Sequence, residues 1–283
     1  MRLKTGLFLL LALIAGSCVK ENPVPAYVTV NPFTLNVDPN IEGSNSHAIT
    51  DVWFFLDGEL QGVYELPAQF PVIASGEHTV RLRPGIKISG LDAWRTIYPF
   101  YQFETQTVDF KPDQDYVFDP ETEYFEGVNF TWMEAFENPG LSFKASDNSD
   151  TAFYRVNDPN LVFEGSASGG FYLDTARWWF RGLTSSIFQL PGGGRNVYLE
   201  MDYRCNNSFV VGVIGWNSDG TAEAQASIGL FESLDWNKIY VNLSLEVSGL
   251  SSAVGYSVYI ESILDTDNDS AWVYFDNFKL INE

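Results

Sequence analysis

The chain has 283 residues with 37 acidic and 16 basic side chains, which gives a formal net charge of −21 at pH 7. Such a charge repels phosphate groups, and nucleic acid is therefore excluded as an expected partner. Aromatic residues make up 16% of the chain, too many for a disordered protein, and the length suffices for one large or two ordinary domains.

The N-terminal segment 1–17 has the organisation of a signal peptide. Arg2 and Lys4 precede an apolar run over residues 7–14, and small residues follow at 15–17. The apolar run is too short for a stable membrane-spanning helix. The sequence Ala-Gly-Ser-Cys, which ends at Cys18, resembles the lipobox of bacterial lipoproteins. An ordinary secretory signal followed by an incidental cysteine is the alternative interpretation.

The lipobox resemblance implies cleavage before Cys18 and acyl chains on that cysteine, each buried methylene contributing roughly 0.8 kcal/mol to binding a lipid bilayer. It implies an outer-membrane lipoprotein of the cell envelope, either periplasm-facing or surface-exposed. Residues 18–26 then form a polar tether, in which Lys20-Glu21 loosely resembles the export signal of Bacteroidota surface lipoproteins. With Cys18 acylated, Cys205 has no disulfide partner, and we expect it to be a buried apolar side chain on a strand.

Residues 27–127 are predicted to form a small β-sandwich. Apolar residues recur with a period of two, and no segment keeps helical spacing for long enough to make a helix. The clearest unit is a hairpin with strands at 52–56 and 60–64. The connecting Asp57-Gly58 suits the positive φ angles of a type I′ turn.

Within this first domain, the run from Phe55 to Gly62, followed by Pro67 and by residues 76–80, resembles the PEGA family of small surface β domains. The resemblance implies a spacer or docking module without chemistry of its own, and an Ig-like sandwich is the alternative. The acidic segment 111–127 contains two prolines, which disfavour both helix and central strand. We therefore place the domain boundary in this segment, although residues 116–118 can still complete a strand of the first domain.

Residues 128–283 are predicted to form a second, larger β-sandwich without helices. Turn residues separate ten short segments with strand character. These segments are 161–163, 171–173, 178–181, 186–189, 196–205, 209–217, 222–230, 237–245, 253–263 and 271–281.

Three stretches of this second domain resemble galactose-binding-like jelly-roll carbohydrate-binding modules: FTWMEAFEN at 130–138, LDWNKI at 234–239 and VYFDNFKL at 273–280. The resemblance implies a jelly roll, and it further implies a structural calcium ion held by Glu134 or Glu137 together with Asp276. Calcium takes six to eight oxygen ligands, which an acidic chain can supply. The alternative is that Asp276 caps a turn through its own backbone. The DTDNDS segment at 265–270 lacks the later residues of a calcium loop and is predicted to be a solvated hairpin loop.

A sugar-binding face needs exposed aromatic rings beside side chains that hydrogen-bond to hydroxyl groups. Strand alternation at 178–181 predicts that one tryptophan faces the core and the other faces solvent. If Trp178 and Phe180 point inward, then Arg177, Trp179 and Arg181 share the outer face. The alternative is that these rings pack within the sandwich or cover its edge.

The same alternation along 196–205 assigns alternate residues to the core and to the outer face. The core set is Leu199, Met201, Tyr203 and Cys205, and the outer set is Glu200, Asp202 and Arg204. Trp216, at the end of a predicted strand, is expected at a loop rim. Arg204 and Trp216 therefore join Arg177, Trp179 and Arg181 as candidate ligand-binding residues.

No catalytic motif stands out in the sequence. The two histidines, His47 and His78, lack the spacing of a metal site, and no nucleophile elbow or phosphate-binding loop is present. The sequence therefore predicts a membrane-anchored lipoprotein, not an enzyme, whose jelly roll binds a glycan at the cell envelope. The alternative is an adhesion or assembly lipoprotein that binds another envelope protein through the same sandwich.

Overall fold

Residues 23–283 are described by the computed structural model, and within this range the chain forms 21 strands and one short helix. The predicted signal peptide and Cys18 lie outside the described residues. Among residues 23–283, no helix is long and apolar enough to span a bilayer. The fold is all-β, as predicted, and it consists of two units that follow one another along the chain.

The first unit contains ten strands in three sheets, ordered β5-β1-β9, β10-β2 and β4-β3-β6-β7, with β8 also paired to β6. The Asp57-Gly58 turn joins β3 to β4 with φ angles of 52° and 88°, which confirms the predicted hairpin. The strands are β1 (Ala26–Val30), β2 (Thr34–Leu35), β3 (Asp51–Leu56), β4 (Glu59–Glu65), β5 (Ala68–Val72), β6 (Gly76–Lys87), β7 (Arg95–Ile97), β8 (Glu104–Phe110), β9 (Asp115–Phe118) and β10 (Glu121–Thr122).

The acidic segment 111–127 is structurally part of the first unit. β9 runs parallel to β1, and β10 runs parallel to β2. Both strands lie at sheet edges, where a neighbouring proline removes no hydrogen bond from the sheet. The chain crosses to the second unit only after Tyr124, whose side chain is still buried with the first unit's core.

The second unit is a two-layer sandwich of the jelly-roll type. One layer has the strand order β13-β14-β21-β16-β19, with β11 on β21, and the other has the order β12-β15-β20-β17-β18. The elements are β11 (Asn129–Glu134), β12 (Phe143–Ala145), β13 (Tyr154–Val156), β14 (Ser168–Asp174), β15 (Trp179–Thr184), β16 (Val197–Cys205), β17 (Phe209–Asn217), β18 (Ala222–Leu230), β19 (Ser233–Asn242), α1 (Ser244–Gly249), β20 (Ala253–Ile263) and β21 (Ser270–Asn282).

Several predicted details of this unit are wrong. Segments 161–163 and 186–189 are irregular rather than strands. The predicted strand 237–245 ends early because the Asn242 side chain accepts a hydrogen bond from the Ser244 backbone N–H, and α1 begins there. Trp178 does not point inward: it is exposed, because β15 begins only at Trp179, after the turn at 174–177.

The core between the two sheets follows the alternation of the strands. Leu199, Met201, Tyr203 and Cys205 on β16 are buried, as predicted. Cys205 is fully enclosed, and burial raises the pKa of its thiol. This side chain therefore acts as an apolar core residue rather than as a nucleophile.

The first unit covers part of the outer face of the sheet that contains β16, β19 and β21, which we call the covered sheet. Side chains Tyr198, Tyr240 and Ile281 from this sheet belong to the apolar core of the first unit. The Tyr240 hydroxyl accepts a hydrogen bond of 3.0 Å from the backbone N–H of Ala48. The two units therefore share one continuous interface.

A group of charged side chains is enclosed in this interface. Glu200 accepts hydrogen bonds from the hydroxyls of Tyr98 at 2.7 Å and Tyr124 at 3.0 Å, and Lys238 Nζ lies 3.3 Å from its Oε2. Asp202 accepts a 2.7 Å hydrogen bond from the Ser46 hydroxyl. Glu200 and Asp202 face away from the sandwich core, as predicted, but they are buried because the first unit covers them. The second sheet of the sandwich, β12-β15-β20-β17-β18, is called the open sheet below.

Candidate functional site

The outer face of the open sheet carries a compact group of aromatic and charged side chains. Inward residues such as Phe180 on β15 are buried in the core, so Trp179 and Arg181 point outward. On the neighbouring strand β20, Tyr259 and Glu261 are outward because the residue between them is buried in the core. Antiparallel pairing places Arg181 directly opposite Glu261.

We call Trp179, Arg181, Tyr259 and Glu261 the Trp179 group. Glu261 links this group through hydrogen bonds. Its Oε1 accepts a bond of 2.7 Å from the Trp179 indole N–H, and its Oε2 accepts one of 3.0 Å from Arg181 Nε. The guanidinium carbon of Arg181 lies 5.7 Å from the ring centroid of Trp179 and 5.3 Å from that of Tyr259, within the range of cation–π attraction. Burial and the nearby Glu261 raise the pKa of Tyr259, which keeps its hydroxyl protonated and available as a donor.

A groove of about 700 Å³ begins at Glu261 and Tyr259 and continues along the open sheet. Apolar side chains Phe231 and Ile263 line it and are 78% and 53% exposed, respectively. Asp265 lines the same groove and accepts hydrogen bonds from the backbone N–H and the hydroxyl of Ser208. The groove therefore combines one exposed aromatic ring, that of Phe231, with aliphatic groups and hydrogen-bonded polar groups.

The floor of the groove is open where the small residues Ala226 and Gly229 of β18 line it. Gly212 on β17 is the register partner of Ala226. A Cβ atom at Gly212 would lie 2.5 Å from Cε1 of Tyr259, so glycine lets this ring lie against the sheet. The spacing Ala222-x-Ala224-x-Ala226 was the available sequence signal for a shallow surface. Tyr259, Glu261, Phe231 and Asp265 were not among the predicted site residues. Pairing of β20 with β15 brings Tyr259 and Glu261 beside Trp179 and Arg181, and Phe231 and Asp265 line the groove from the loops that follow β18 and β20.

The five predicted ligand-binding residues do not form one site. Trp179 and Arg181 lie together on the open sheet. Trp216 is on the same face but lies far along the strands from Trp179. On β20, Trp216 is paired with Gly255 and Trp179 with Ile263, and these two partners are eight residues apart. At 3.3 Å per residue this is roughly 26 Å along the strand. The Trp216 indole N–H donates to the hydroxyl of Ser257.

The other two predicted residues lie elsewhere. Arg177 is at the turn between β14 and β15, where it pairs with Asp174. Arg204 is on the covered sheet, where its Nε donates to the carbonyl oxygen of Leu234 and its guanidinium lies 5.3 Å from the Trp272 ring centroid. Neither side chain is therefore part of the Trp179 group.

The predicted calcium ligands are engaged in separate hydrogen bonds. Glu134 accepts from the backbone N–H groups of Phe136 and Ser142, and Glu137 accepts from that of Ser166. Asp276 accepts from the hydroxyl of Ser168 and from the backbone N–H of Asn277, and burial raises its pKa to about 7.

Across residues 23–283, no group of three or more histidine, cysteine or acidic side chains is arranged to hold a metal ion. Each of these carboxylates accepts hydrogen bonds from the protein, and a calcium ion held by Glu134 or Glu137 together with Asp276 stays a prediction. The turn-capping alternative for Asp276 agrees with its bond to the adjacent backbone N–H.

No family model matches the chain, and no curated protein matches it. Solved structures with a distant likeness include the C-terminal family 22 carbohydrate-binding module of Clostridium thermocellum Xyn10B, with a TM-score of 0.39 and 14% identity over 54% of this chain and 92% of the module. The CBM22-1 xylan-binding domain from Paenibacillus barcinonensis Xyn10C has a TM-score of 0.40 and 13% identity over 54% and 94%. TmCBM61, solved in complex with beta-1,4-galactotriose, has a TM-score of 0.34 and 16% identity over 53% and 94%. TM-scores this low assign no function to this chain.

Proposed function

We propose that the second unit binds carbohydrate without catalysis, through the groove and the Trp179 group on the open sheet. The observation that carries this proposal is the position of Trp179, Arg181 and Glu261 directly beside a groove with an open floor. Apolar sugar faces stack on aromatic rings, and sugar hydroxyls need both donors and acceptors nearby. The Trp179 group supplies all three features within one patch.

Arg181 and Glu261 are arranged to serve hydroxyl groups. Their side chains are 33% and 23% exposed, so ligand oxygens can reach them. A guanidinium carries five N–H donors in a fixed plane, and the pairing with Glu261 uses only part of that set. The mutual pairing also neutralises both charges, which suits a neutral ligand.

The direct test is a glycan array probed with a soluble form that spans residues 19–283 and keeps every described residue. Any glycan that binds should lose at least about tenfold in affinity with Trp179→Ala, the equivalent of 1.4 kcal/mol. Trp94→Ala is the matched control because Trp94 is exposed on the first unit. Folded protein that binds nothing on the array, or equal losses from both variants, would count against the proposal.

A protein partner is the competing use of the same groove, because the exposed Phe231 and Ile263 would also suit an apolar protein surface. The variant Phe231→Ser separates the two uses. It should leave glycan affinity within about threefold if stacking on Trp179 dominates, a difference below 1 kcal/mol. If no glycan on the array binds, and if the unchanged protein captures an envelope protein that Phe231→Ser does not capture, the adhesion or assembly function is favoured.

We propose further that the chain is anchored in the outer membrane of the cell envelope through acylated Cys18. The support for this anchor is the lipobox-like sequence and the polar segment that follows it. Metabolic labelling with a clickable fatty acid should mark the wild-type chain and leave Cys18→Ala unmarked. A Cys18→Ala chain that stays equally in the membrane fraction would contradict the anchor.

A further inference from the structure

Two arginines on the first unit lie side by side, and neither has an oxygen partner in the part of the chain that the structure describes. Arg81 and Arg83 point outward from β6, because Val80 and Leu82 beside them are buried in the core. Both side chains are half-buried, and the Nε–H of each is enclosed without an acceptor. Within residues 23–283, neither guanidinium has a carboxylate within ion-pair distance.

This absence is unusual for a chain that has 37 acidic residues. All other basic side chains in the described range that are at least half-buried contact an oxygen atom of the protein. They are Lys87, Arg95, Arg155, Arg181, Arg204, Lys238 and Lys279. Burying a charge is costly unless an opposite charge or an acceptor is supplied.

The two arginines also repel one another. Partial burial and the neighbouring charge of Arg81 lower the pKa of Arg83. No carboxylate contributes to this shift. An external anion would remove the repulsion and would occupy the guanidinium donors that the protein leaves free.

Aromatic rings surround the pair. Antiparallel pairing places Trp53 beside Arg83 and Phe55 beside Arg81, and both rings are half-buried on the same outer face. Phe103 is 39% exposed, and its ring centroid lies 4.6 Å from the guanidinium carbon of Arg81. The Phe103 ring contacts both guanidinium groups within cation–π range, since that of Arg83 lies 5.6 Å from the same centroid. The three rings together provide apolar surface for stacking.

Hydroxyl side chains complete the face on the side of β8. Thr105 is the register partner of Arg81 and is exposed, and Thr79 lies two residues before Arg81 on the same face. Such a mixture of guanidinium, ring and hydroxyl groups matches a sugar that carries a carboxylate. Planar carboxylates accept two parallel N–H bonds from arginine, while the rings and hydroxyls contact the sugar.

We propose that this face, formed by Trp53, Phe55, Arg81, Arg83 and Phe103, binds the carboxylate groups of an acidic polysaccharide. Local charge complementarity identifies the partner, since the two guanidinium groups at this face carry positive charge that no nearby carboxylate of the described residues compensates. The site lies on the first unit and goes beyond the glycan groove of the second unit. It would let the two units contact different sugars of one polymer.

Affinity electrophoresis of the 19–283 form in gels with polygalacturonate tests the proposal at low and at physiological salt. The double variant Arg81→Gln/Arg83→Gln should lose at least about tenfold in affinity, and added salt should weaken binding of the unchanged protein. Arg81→Lys/Arg83→Lys keeps both charges but loses the planar N–H donors that bind a carboxylate with two parallel bonds. Its loss of affinity for polygalacturonate should therefore be intermediate. Unchanged urea unfolding midpoints would show that the variants are folded.

The matched control is Lys144→Gln/Arg195→Gln, which removes two exposed positive charges from the second unit. At physiological salt it should bind polygalacturonate within about twofold of the unchanged protein, since charges further than about 8 Å from the ligand are screened there. Trp179→Ala should also leave this binding unchanged, which distinguishes the site from the groove of the open sheet. Equal losses from both double variants would overturn the proposal, as would binding of poly-L-glutamate as tight as that of polygalacturonate, which would indicate an acidic protein partner.

Discussion

Replacing Lys238 by methionine tests the interface between the two units. Lys238 Nζ lies 3.3 Å from Glu200 Oε2, and the two side chains are 4% and 0% exposed. Removing one partner of a buried ion pair costs about 3–5 kcal/mol, because the remaining charge stays enclosed. The hydroxyls of Tyr98 and Tyr124 continue to donate to Glu200, so we expect the loss to lie near about 3 kcal/mol.

Urea unfolding measured by circular dichroism checks this value. With a slope of about 3 kcal/mol per molar urea, the midpoint should fall by about 1 M. Glu200→Gln/Lys238→Met removes both charges together and should be more stable than Lys238→Met alone, with a coupling energy of about 1–3 kcal/mol. Lys144→Met is the control for losing one exposed lysine.

The reasoning is refuted if Lys238→Met unfolds at the midpoint of the unchanged protein, or if the double variant is the least stable form. The same experiment measures whether the units unfold together. Because Tyr198, Tyr240 and Ile281 of the second unit are buried in the core of the first, we expect one transition. Two resolved transitions would contradict that interface.

Three further predictions concern single sites. NMR titration should place the pKa of His78 above 6.5, because it hydrogen-bonds to Asp57, and that of His47 below 6.5, because burial disfavours its charged form; the reverse order would contradict the structure. As the pH rises from 4 to 8, the free energy of unfolding of Asp276→Asn should increase relative to that of the unchanged protein by as much as about 4 kcal/mol. The sign follows because folding raises the pKa of this aspartate from 3.8 to about 7. The native carboxyl therefore keeps its proton to a higher pH than the unfolded one does, and the unchanged protein loses stability as the pH rises through that range. Urea unfolding of the two proteins with the same dependence on pH would refute the prediction. Gly212→Val should weaken any glycan binding and lower the free energy of unfolding by about 1–3 kcal/mol, because the added carbons would displace the Tyr259 ring and the Gln225 carbonyl group that contact this glycine. Unchanged glycan affinity together with an unchanged free energy of unfolding would contradict this prediction.

Local patterns in the sequence were sufficient for the long strands of the second unit and for their inward faces, but not for segments 161–163 and 186–189, which were predicted as strands and are irregular. Residues on β16 alternate between core and outer face as the period of two requires, and Asp57-Gly58 makes its hairpin because few other dipeptides accept two positive φ angles. Errors came where a local hydrogen bond competed with the strand, as at Asn242. Short strands such as β12 and β13 carried too few residues to show a period.

The sequence predicted only two of the four residues of the Trp179 group. Trp179 and Arg181 were found because they are two residues apart on one strand. Glu261 and Tyr259 are about eighty residues further on and meet them only through the pairing of β15 with β20. Pairing between distant strands depends on the whole sandwich, so no local pattern could predict this contact.

Composition and periodicity by themselves determined the all-β character and the burial of the thiol at Cys205, because these depend on neighbouring residues. Only the tertiary structure decided which of the outward faces remain open. Glu200 and Arg181 both occupy outward positions on strands, yet the first is enclosed under the neighbouring unit and the second is accessible at a groove. The physical reason is that strand alternation determines the side of a sheet on which a side chain lies, whereas packing between distant parts of the chain determines whether that side meets solvent.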